Sequence, residues 1–262
     1  MIDAKTLRKA QLKMLEILIA IDGVCRSHNI KYWLGYGTLL GAIRHNGFIP
    51  WDDDCDICMM REDFEKFSEF VGELPENMFL QTDKNDMNYP KKIMKIRMKN
   101  TKLVEFDESE NENYHQGIFV DIFVFDYYPN IGGFMGKLLR IAPELRFKRK
   151  LYPKGSCKRA MISVLSGIPY FFHSIVKFLY LQASYLFRNN SALPYVGQEI
   201  RLSDGIMIPR QNIFPLRNNI SFEGINFMIP NDYDNVLIQR YGDYSMLPSV
   251  EQRHTHAKLI EC

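Results

Sequence analysis

The segment whose residues are best suited to chemistry is a run of acidic side chains. Four carboxylates lie within five residues, at Asp52, Asp53, Asp54 and Asp56. Their mutual repulsion is unfavourable unless water, a cation or basic groups offset it. A solvated acidic turn would satisfy that condition, but this run leads directly into the apolar segment Ile57–Met60, which is typical of a strand. A strand-borne acid cluster indicates a site for a hard cation.

The spacing of the acids favours a shared face. Because side chains alternate along a strand, we expect Asp52, Asp54 and Asp56 to point the same way. A further acid, Asp121, interrupts the apolar run 117–125, which reads as a strand buried on both faces. A buried charge needs a partner, either a metal ion shared with the first cluster or a core lysine or arginine. Oxygen-only ligands favour Mg²⁺, with Mn²⁺ as an alternative, over zinc.

A glycine-rich turn precedes the acids. Gly37 and Thr38 lie between a short strand-like run and a short predicted helix. Glycine permits close backbone approach, and the free amides at a helix start attract anions. Thr38 could cap the helix or bind phosphate, and Arg44 at the helix end could clamp a phosphate. An ordinary turn and a solvated terminal charge are the alternatives.

Three other basic residues are candidates for substrate binding. Lys95 and Arg97 lie two apart on a predicted strand, so they share a face that could meet donor phosphates or only solvent. His254 belongs to a basic tail that could contact a ligand or stay solvated. By contrast, Cys55 and Cys58 form a C-x-x-C that we assign to core packing, because residues three apart on a strand point to opposite faces.

The elements that must position these residues follow from periodicity and turn residues. Helical spacing of apolar side chains predicts three helices, and β-prone runs predict three strands. Two further pairs of runs predict hairpins, the first around Lys99-Asn100 and the second around Glu223-Gly224. The predicted helices are 6–28 (capped by Thr6), 39–44 and 62–73, the strands are 31–34, 54–60 and 117–125, and the hairpins are 93–106 and 222–229.

The amino-acid composition restricts the possible partners and cellular compartment only slightly. The 262 residues are 46% hydrophobic and 24% charged, with a formal net charge of +2, which gives no support for a nucleic-acid partner. Five cysteines, an odd number, and the lack of an export signal favour reduced thiols in the cytoplasm.

The middle of the chain differs from the rest. Residues 137–159 carry nine basic side chains against one acid, and residues 160–187 carry a single formal charge. A polar stripe in the apolar part indicates an interfacial helix rather than a spanning one, so residues 137–188 could contact an anionic membrane surface. A helical insertion packed on the catalytic domain is an equally good interpretation.

Four stretches together resemble one known family. They are Tyr32–Phe67, Gly117–Asp126, Phe222–Leu237 and Tyr241–Pro248. The order of a Gly-Thr turn, a short helix, a D-x-D strand and a third acid is similar to the nucleotidyltransferase superfamily. The long first stretch resembles the LicD family, bacterial phosphorylcholine transferases related to fukutin and fukutin-related protein.

The resemblance implies a chemistry and a set of site residues. It implies a CDP-choline or other CDP-alcohol donor, a divalent metal, and a sugar acceptor in teichoic acid, capsule or lipopolysaccharide, which could be lipid-linked. Carried over by position, Asp52, Asp54, Asp56 and Asp121 match the metal-binding acids, and the last three match the catalytic ones. Asp121 is the expected base. Gly37 and Thr38, of which Thr38 replaces the superfamily's serine, fall where the superfamily contacts phosphate.

The expected fold is mixed α/β, a nucleotidyltransferase-type mixed sheet flanked by helices with a helical insertion. We expect a catalytic core over 1–135, the insertion over 136–195 and a C-terminal segment, 196–262, that packs back on the core. The expected location is cytoplasmic, at the inner face of the membrane if the insertion binds lipid. The rival functions are a nucleotidyltransferase that releases pyrophosphate and a membrane-surface binding protein with a vestigial metal site.

Overall fold

A computed structural model gives the fold. It describes residues 2–89, 93–128, 155–164, 171, 174–175, 178–179, 193–198, 207–253 and 255–262. The chain forms two compact units, one of Met1–Val124 with Asn212–Cys262 and the other of Phe125–Gln211. The predicted insertion falls largely outside the described ranges, so its boundaries stay predictions. Within those ranges no helix is both long and apolar enough to cross a membrane.

Helices and strands alternate in the mixed α/β manner that the sequence predicts. The helices whose bounds the structure defines are α1 (Ala4–Ser27), α2 (Tyr36–His45), α3 (Arg61–Glu69), α4 (Arg210–Ile213) and α5 (Tyr233–Tyr241), and residues 157–164 are also helical. The strands are β1 (Trp33–Leu34), β2 (Asp56–Met60), β3 (Met78–Gln81), β4 (Met94–Met98), β5 (Lys102–Glu105), β6 (Phe119–Tyr128), β7 (Tyr195–Gln198), β8 (Ile208–Pro209), β9 (Arg217–Phe222), β10 (Ile225–Ile229) and β11 (Ala257–Glu261). Short 3₁₀ turns cover Val71–Glu73 and Val250–Gln252.

Helix α1 packs against β4 and β11 in the first unit. It begins after Asp3, whose carboxylate accepts hydrogen bonds of 3.0 Å from the backbone N–H groups of Lys5 and Thr6. The predicted cap, Thr6, is therefore wrong: its hydroxyl donates to Asp3 instead. Apolar residues along one face of α1 are buried in the core, as helical spacing predicts.

The sheet of the first unit has the strand order β1-β2-β6-β4-β3. The run around Asp121 lies in β6, between the acid-bearing β2 and β4, and it is buried as predicted. In the second unit, the last four residues of β6 pair with β7, and β7 pairs with β8.

The first predicted hairpin is wrong and the second is confirmed. β4 pairs with β3 and β6, so both of its hydrogen-bonding edges are occupied, and β5 pairs instead with β11 in a separate two-stranded sheet. The chain still reverses at Asn100, which has a φ of 59°. β9 and β10 form the second hairpin, where Glu223 (φ 52°) and Gly224 (φ 83°) supply two positive φ angles.

Candidate active site

The site begins where α2 meets the start of β2. The Thr38 hydroxyl accepts a hydrogen bond of 2.8 Å from the backbone N–H of Asp56, and the Gly35 N–H donates to the Asp56 carbonyl at 3.0 Å. Thr38 is 2% exposed and lies within the first turn of α2, so Gly35, not Thr38, occupies the cap position. These bonds hold the first residue of β2 against the start of the helix.

Gly37 makes room for two of the acids. A Cβ atom at this position would lie 2.7 Å from Asp52 Oδ2 and 3.8 Å from Asp54 Oδ1. Since the first distance is shorter than any normal contact, a side chain at residue 37 would displace the carboxylate of Asp52. Regular strand structure begins only at Asp56, so the predicted alternation from Asp52 onward is wrong. The acids converge because their loop folds over the glycine turn.

The acids that the sequence selects influence one another's ionisation. Burial and then the charge of Asp54 raise the pKa of Asp52 well above its usual range. Burial followed by the charges of Asp54 and Asp121 does the same for Asp56. Burial is the largest cause that raises the pKa of Asp54 to about 6. The charge of His256 opposes this rise, and the charge of Asp121 adds to it. The two separate stretches of backbone therefore place their carboxylates in one electrostatic cluster.

Asp121 joins this cluster from the neighbouring strand. Its backbone N–H donates to the Cys55 carbonyl at 2.8 Å, which fixes it beside the start of β2. On its other side, Lys95 is its direct partner across β4 and β6, and Lys95 Nζ lies 2.8 Å from Asp121 Oδ1. Oδ1 is buried, and within the described residues Lys95 is the one cation that contacts it. Burial raises the pKa of Asp121 and the ion pair with Lys95 opposes that rise.

Lys95 and Arg97 share a face, as predicted, but both are buried. They are 1% and 0% exposed and lie over the ring of Phe119, with Lys95 Nζ 3.2 Å from its centroid. Arg97 donates to Gln81 Oε1 at 2.8 Å and to the Gly117 carbonyl at 2.6 Å. These contacts give both residues roles inside the protein, and contact with donor phosphate stays a prediction.

A second group of residues ties the acidic loop to the C-terminal strand. The Asp53 carboxylate is fully buried and accepts hydrogen bonds from the backbone N–H groups of His256 and Ala257. The His256 ring lies beside two acids, with Nδ1 3.3 Å from Asp53 Oδ1 and 3.4 Å from Asp54 Oδ2. The hydrogen bond with Asp53 raises the pKa of His256 to about 9. The predicted tail residue, His254, lies outside the described residues.

His256 is the site residue that the sequence did not select. Together, Asp52, Asp53 and His256 place one potential ligand atom each within 4.8 Å of one another. Asp53 already accepts two backbone N–H groups, which leaves its oxygens less available to a cation than those of Asp52 and Asp54. The basic tail in the sequence was the one pattern that pointed to His256. Its position beside the acids depends on pairing between residues far apart in the chain, which the sequence pattern does not show.

Basic and aromatic side chains surround the acids. Arg44 donates from Nη1 to the Tyr244 carbonyl at 3.1 Å. Burial is the main cause that lowers the pKa of Arg44. The charge of Arg253 adds to this, while Tyr241 and Asp52 oppose it. The guanidinium of Arg253 stacks 4.4 Å from the ring centroid of Trp51. Arg44 therefore lies near Asp52 and Arg253 lies on the neighbouring Trp51, so an anionic group of a substrate would meet positive charge here.

The donor set fits a hard divalent cation. Carboxylate oxygens from Asp52, Asp54, Asp56 and Asp121 are the ligands that Mg²⁺ and Mn²⁺ prefer. Burial and the charges of the neighbouring acids raise the pKa values of Asp52 and Asp56, so a bound cation would stabilise their ionised forms. Cys55 and Cys58 are free and buried, in agreement with core packing.

Comparison with known proteins identifies the family of the chain. Residues 29–157 match the family model described as LicD/FKTN/FKRP, nucleotidyltransferase domain. The chain is 32% identical over 266 residues to the lipopolysaccharide cholinephosphotransferase LicD of Haemophilus influenzae, with 96% of each chain covered. A shorter stretch of 52 residues is 49% identical to the human ribitol 5-phosphate transferase FKRP, covering 20% of this chain and 10% of that one. Since the first match extends over nearly the whole of both proteins, the chain belongs to the LicD family.

Proposed function

We propose that the protein transfers phosphocholine, or a similar phospho-alcohol, from a CDP-linked donor to a sugar of a cell-surface glycan, with lipopolysaccharide the first candidate. The relative that matches over 96% of its length is a lipopolysaccharide cholinephosphotransferase. The observation that carries the proposal is the convergence of Asp52 and Asp54 at Gly37, with Asp121 on the adjacent strand. That arrangement suits phosphoryl transfer, which depends on positioning and charge neutralisation.

In this proposal the four acids Asp52, Asp54, Asp56 and Asp121 hold Mg²⁺, or Mn²⁺ in its place. Bound there, the ion would neutralise charge on the donor phosphates. Thr38 and Gly35 keep the start of β2 in position, and Gly37 leaves the space that the Asp52 carboxylate needs.

The reaction itself is a displacement at phosphorus. The acceptor hydroxyl oxygen forms a bond to the phosphorus that carries choline, the bond from that phosphorus to the bridging oxygen breaks, and CMP leaves with that oxygen. The proton of the acceptor hydroxyl passes to a carboxylate, for which we propose Asp121. Lys95, 2.8 Å from Asp121 Oδ1, favours the ionised carboxylate that can accept this proton.

Donor binding is assigned to the basic surroundings of the acids. Arg44 and Arg253 lie beside the cluster, where they can meet the diphosphate. The backbone at Gly37 and Thr38, together with His254, remains a predicted contact of the donor or acceptor. For Lys95 and Arg97 an indirect role, through Asp121 and the sheet, fits their burial better.

A donor screen tests the proposal. Purified protein is incubated with Mg²⁺, a lipopolysaccharide or lipid-linked glycan acceptor, and CDP-choline, CDP-ribitol or CDP-glycerol, and the products are separated by chromatography. Acceptor-dependent release of CMP with one of these donors supports the proposal. Nucleotide transfer to an acceptor with release of pyrophosphate from CTP would favour the nucleotidyltransferase rival.

Two variants test whether the activity in the screen comes from a contaminating enzyme. Asp54→Ala/Asp56→Ala should abolish CMP release, while Asp107→Ala, outside the cluster, should retain it. Turnover that survives in the first variant would contradict the assigned site. Metal-dependent donor binding without any turnover would favour a binding protein with a vestigial site.

A further inference from the structure

The described residues contain a cation already in place beside the acid cluster. β6 lies between β2 and β4, so Asp121 has the acids of β2 on one side and Lys95 of β4 on the other. Lys95 Nζ approaches Asp121 Oδ1 to 2.8 Å and Glu105 Oε2 to 3.6 Å. The ammonium therefore occupies the space between two carboxylates.

The surroundings of Lys95 hold that charge in place. Its side chain is 1% exposed and its Nζ lies 3.2 Å from the centroid of the Phe119 ring. The face of an aromatic ring attracts a cation, and the β4–β6 register puts Lys95 directly opposite Asp121. A buried lysine that contacts a ring and two acids is positioned as a fixed charge and not as a mobile substrate ligand.

The same contact limits what Asp121 can do with metal ions. Enzymes that use two ions for phosphoryl transfer hold them about 3.5–4 Å apart with bridging carboxylates. A second ion bound to Asp121 Oδ1 would share that oxygen with the Lys95 ammonium at 2.8 Å. Repulsion between a divalent ion and an ammonium at such a distance is strong where water is excluded. Oδ1 is buried, and among the charged groups that stabilise the ionised form of Asp121 the Lys95 ammonium acts most strongly, ahead of Arg97.

We propose that Lys95 supplies at Asp121 the positive charge that a second metal ion would otherwise bring, so that the protein binds one divalent cation, not two, before the donor arrives. The inference rests on the proposed metal site and specifies its stoichiometry. Lys95 is then a positioning residue, which acts on the reaction through Asp121.

Counting bound ions tests this directly. Protein stripped of metal with EDTA and transferred to buffer without chelator or nucleotide is titrated with Mn²⁺, and bound ions are counted by calorimetry and by the electron spin resonance signal of free Mn²⁺. We expect one Mn²⁺ per chain for the wild type. Lys95→Met removes the charge while keeping a long apolar stem, and the Asp121 carboxylate, left without its ion-pair partner, should then recruit a second Mn²⁺.

Two further variants keep the test decisive. Lys95→Met/Asp121→Asn removes both members of the ion pair and should return the count to one, even if the single variant folds poorly by circular dichroism. Lys99→Met removes a lysine of the same chain segment whose Nζ donates to the Glu76 carbonyl, and should leave the count at one.

The outcomes separate the inference from the proposed function. Two Mn²⁺ per wild-type chain, or one in folded Lys95→Met, would overturn the inference while leaving the catalytic proposal intact. If Lys95→Met does not fold, the counts for the wild type and the double variant decide, and two ions in either one overturn it. A wild type that binds no Mn²⁺ at all would overturn both.

Discussion

The hydroxyl of Thr38 accepts a hydrogen bond from the backbone N–H of Asp56 at 2.8 Å, which joins the glycine turn to the acid strand. Thr38→Val removes the acceptor and leaves a buried N–H unsatisfied, at a cost of about 1–3 kcal/mol. Thr38→Ser keeps the hydroxyl and should lose much less. Urea unfolding measures both, and the valine variant should also lose most CMP release. Equal stability of the two variants would contradict this role.

The sequence predicts the acid cluster because its signals are local. Four carboxylates before an apolar run and one acid inside a buried strand are visible without a structure, and so is the Gly-Thr turn beside them. Membership of the LicD family and the class of transferase are likewise confirmed by the relatives.

What the sequence could not predict depends on strand register and distant contacts. Lys95 becomes the partner of Asp121 only because β4 lies beside β6, and the predicted hairpin had placed that strand against residues 103–106. Asp53 and His256 are 203 residues apart, so periodicity gives no sign of their contact. The predicted strand face for Asp52 also failed, because a folded loop, not a strand, brings this carboxylate to the cluster.

Neighbouring acids should respond in opposite ways to removal. Asp53 is buried and accepts backbone N–H groups of β11, so Asp53→Ala should destabilise the metal-free protein by about 1–3 kcal/mol. Asp54 is buried among like charges, a cost that His256 offsets only in part, so Asp54→Ala should stabilise the metal-free protein or leave it unchanged, while the stabilisation by Mg²⁺ is lost. Thermal unfolding with EDTA and with Mg²⁺ distinguishes the two. Loss of stability in both metal-free variants would contradict the division of roles.

The stability of the metal-free protein should fall as the pH rises. Burial raises the folded-state pKa of Asp54 to about 6, above its ordinary value of 3.8, so the folded state binds more protons than the unfolded state between these values. The contribution to stability is therefore fully present below about pH 3.8 and is lost as the pH rises through 6. His256, with its pKa raised to about 9, loses its own contribution as the pH rises from about 6.5 through 9.

Mg²⁺ should reverse part of this trend, because it binds the ionised carboxylates. The increase in melting temperature caused by 5 mM Mg²⁺, about the concentration that would saturate a weak site, should grow from pH 5 to pH 8. Asp54→Asn should flatten both curves. A shift with Mg²⁺ that is independent of pH would show that these acids are not the ligands.

A side chain at residue 47 should destabilise the protein. A Cβ atom there would lie 2.4 Å from Glu223 Oε1, and this carboxylate is held by Arg8 at 2.6 Å and by the Phe48 N–H at 3.1 Å. Gly47→Ala must break or shift those bonds, and we expect a loss of about 1–3 kcal/mol. Gly23, exposed within α1 with no atom within 4 Å of its added Cβ, is the matched control. Gly23→Ala should stabilise by about 0.5–1 kcal/mol, and chemical unfolding of both variants measures the contrast.

Membrane contact through residues 137–188 is a prediction of the sequence that flotation can test. Nine basic side chains against one acid in residues 137–159 precede an apolar stretch, a pattern that favours anionic lipid headgroups. The protein should float with vesicles containing phosphatidylglycerol at low salt and be released at high salt, since screening weakens such contacts.

Lys148→Gln/Lys150→Gln should weaken binding by roughly thirty-fold, at about 1 kcal/mol per basic residue. Lys5→Gln/Lys9→Gln, on the exposed face of α1, removes the same charge elsewhere and should leave flotation unchanged. Absence of binding at low salt, or equal loss in both variants, would instead favour an insertion packed on the catalytic domain.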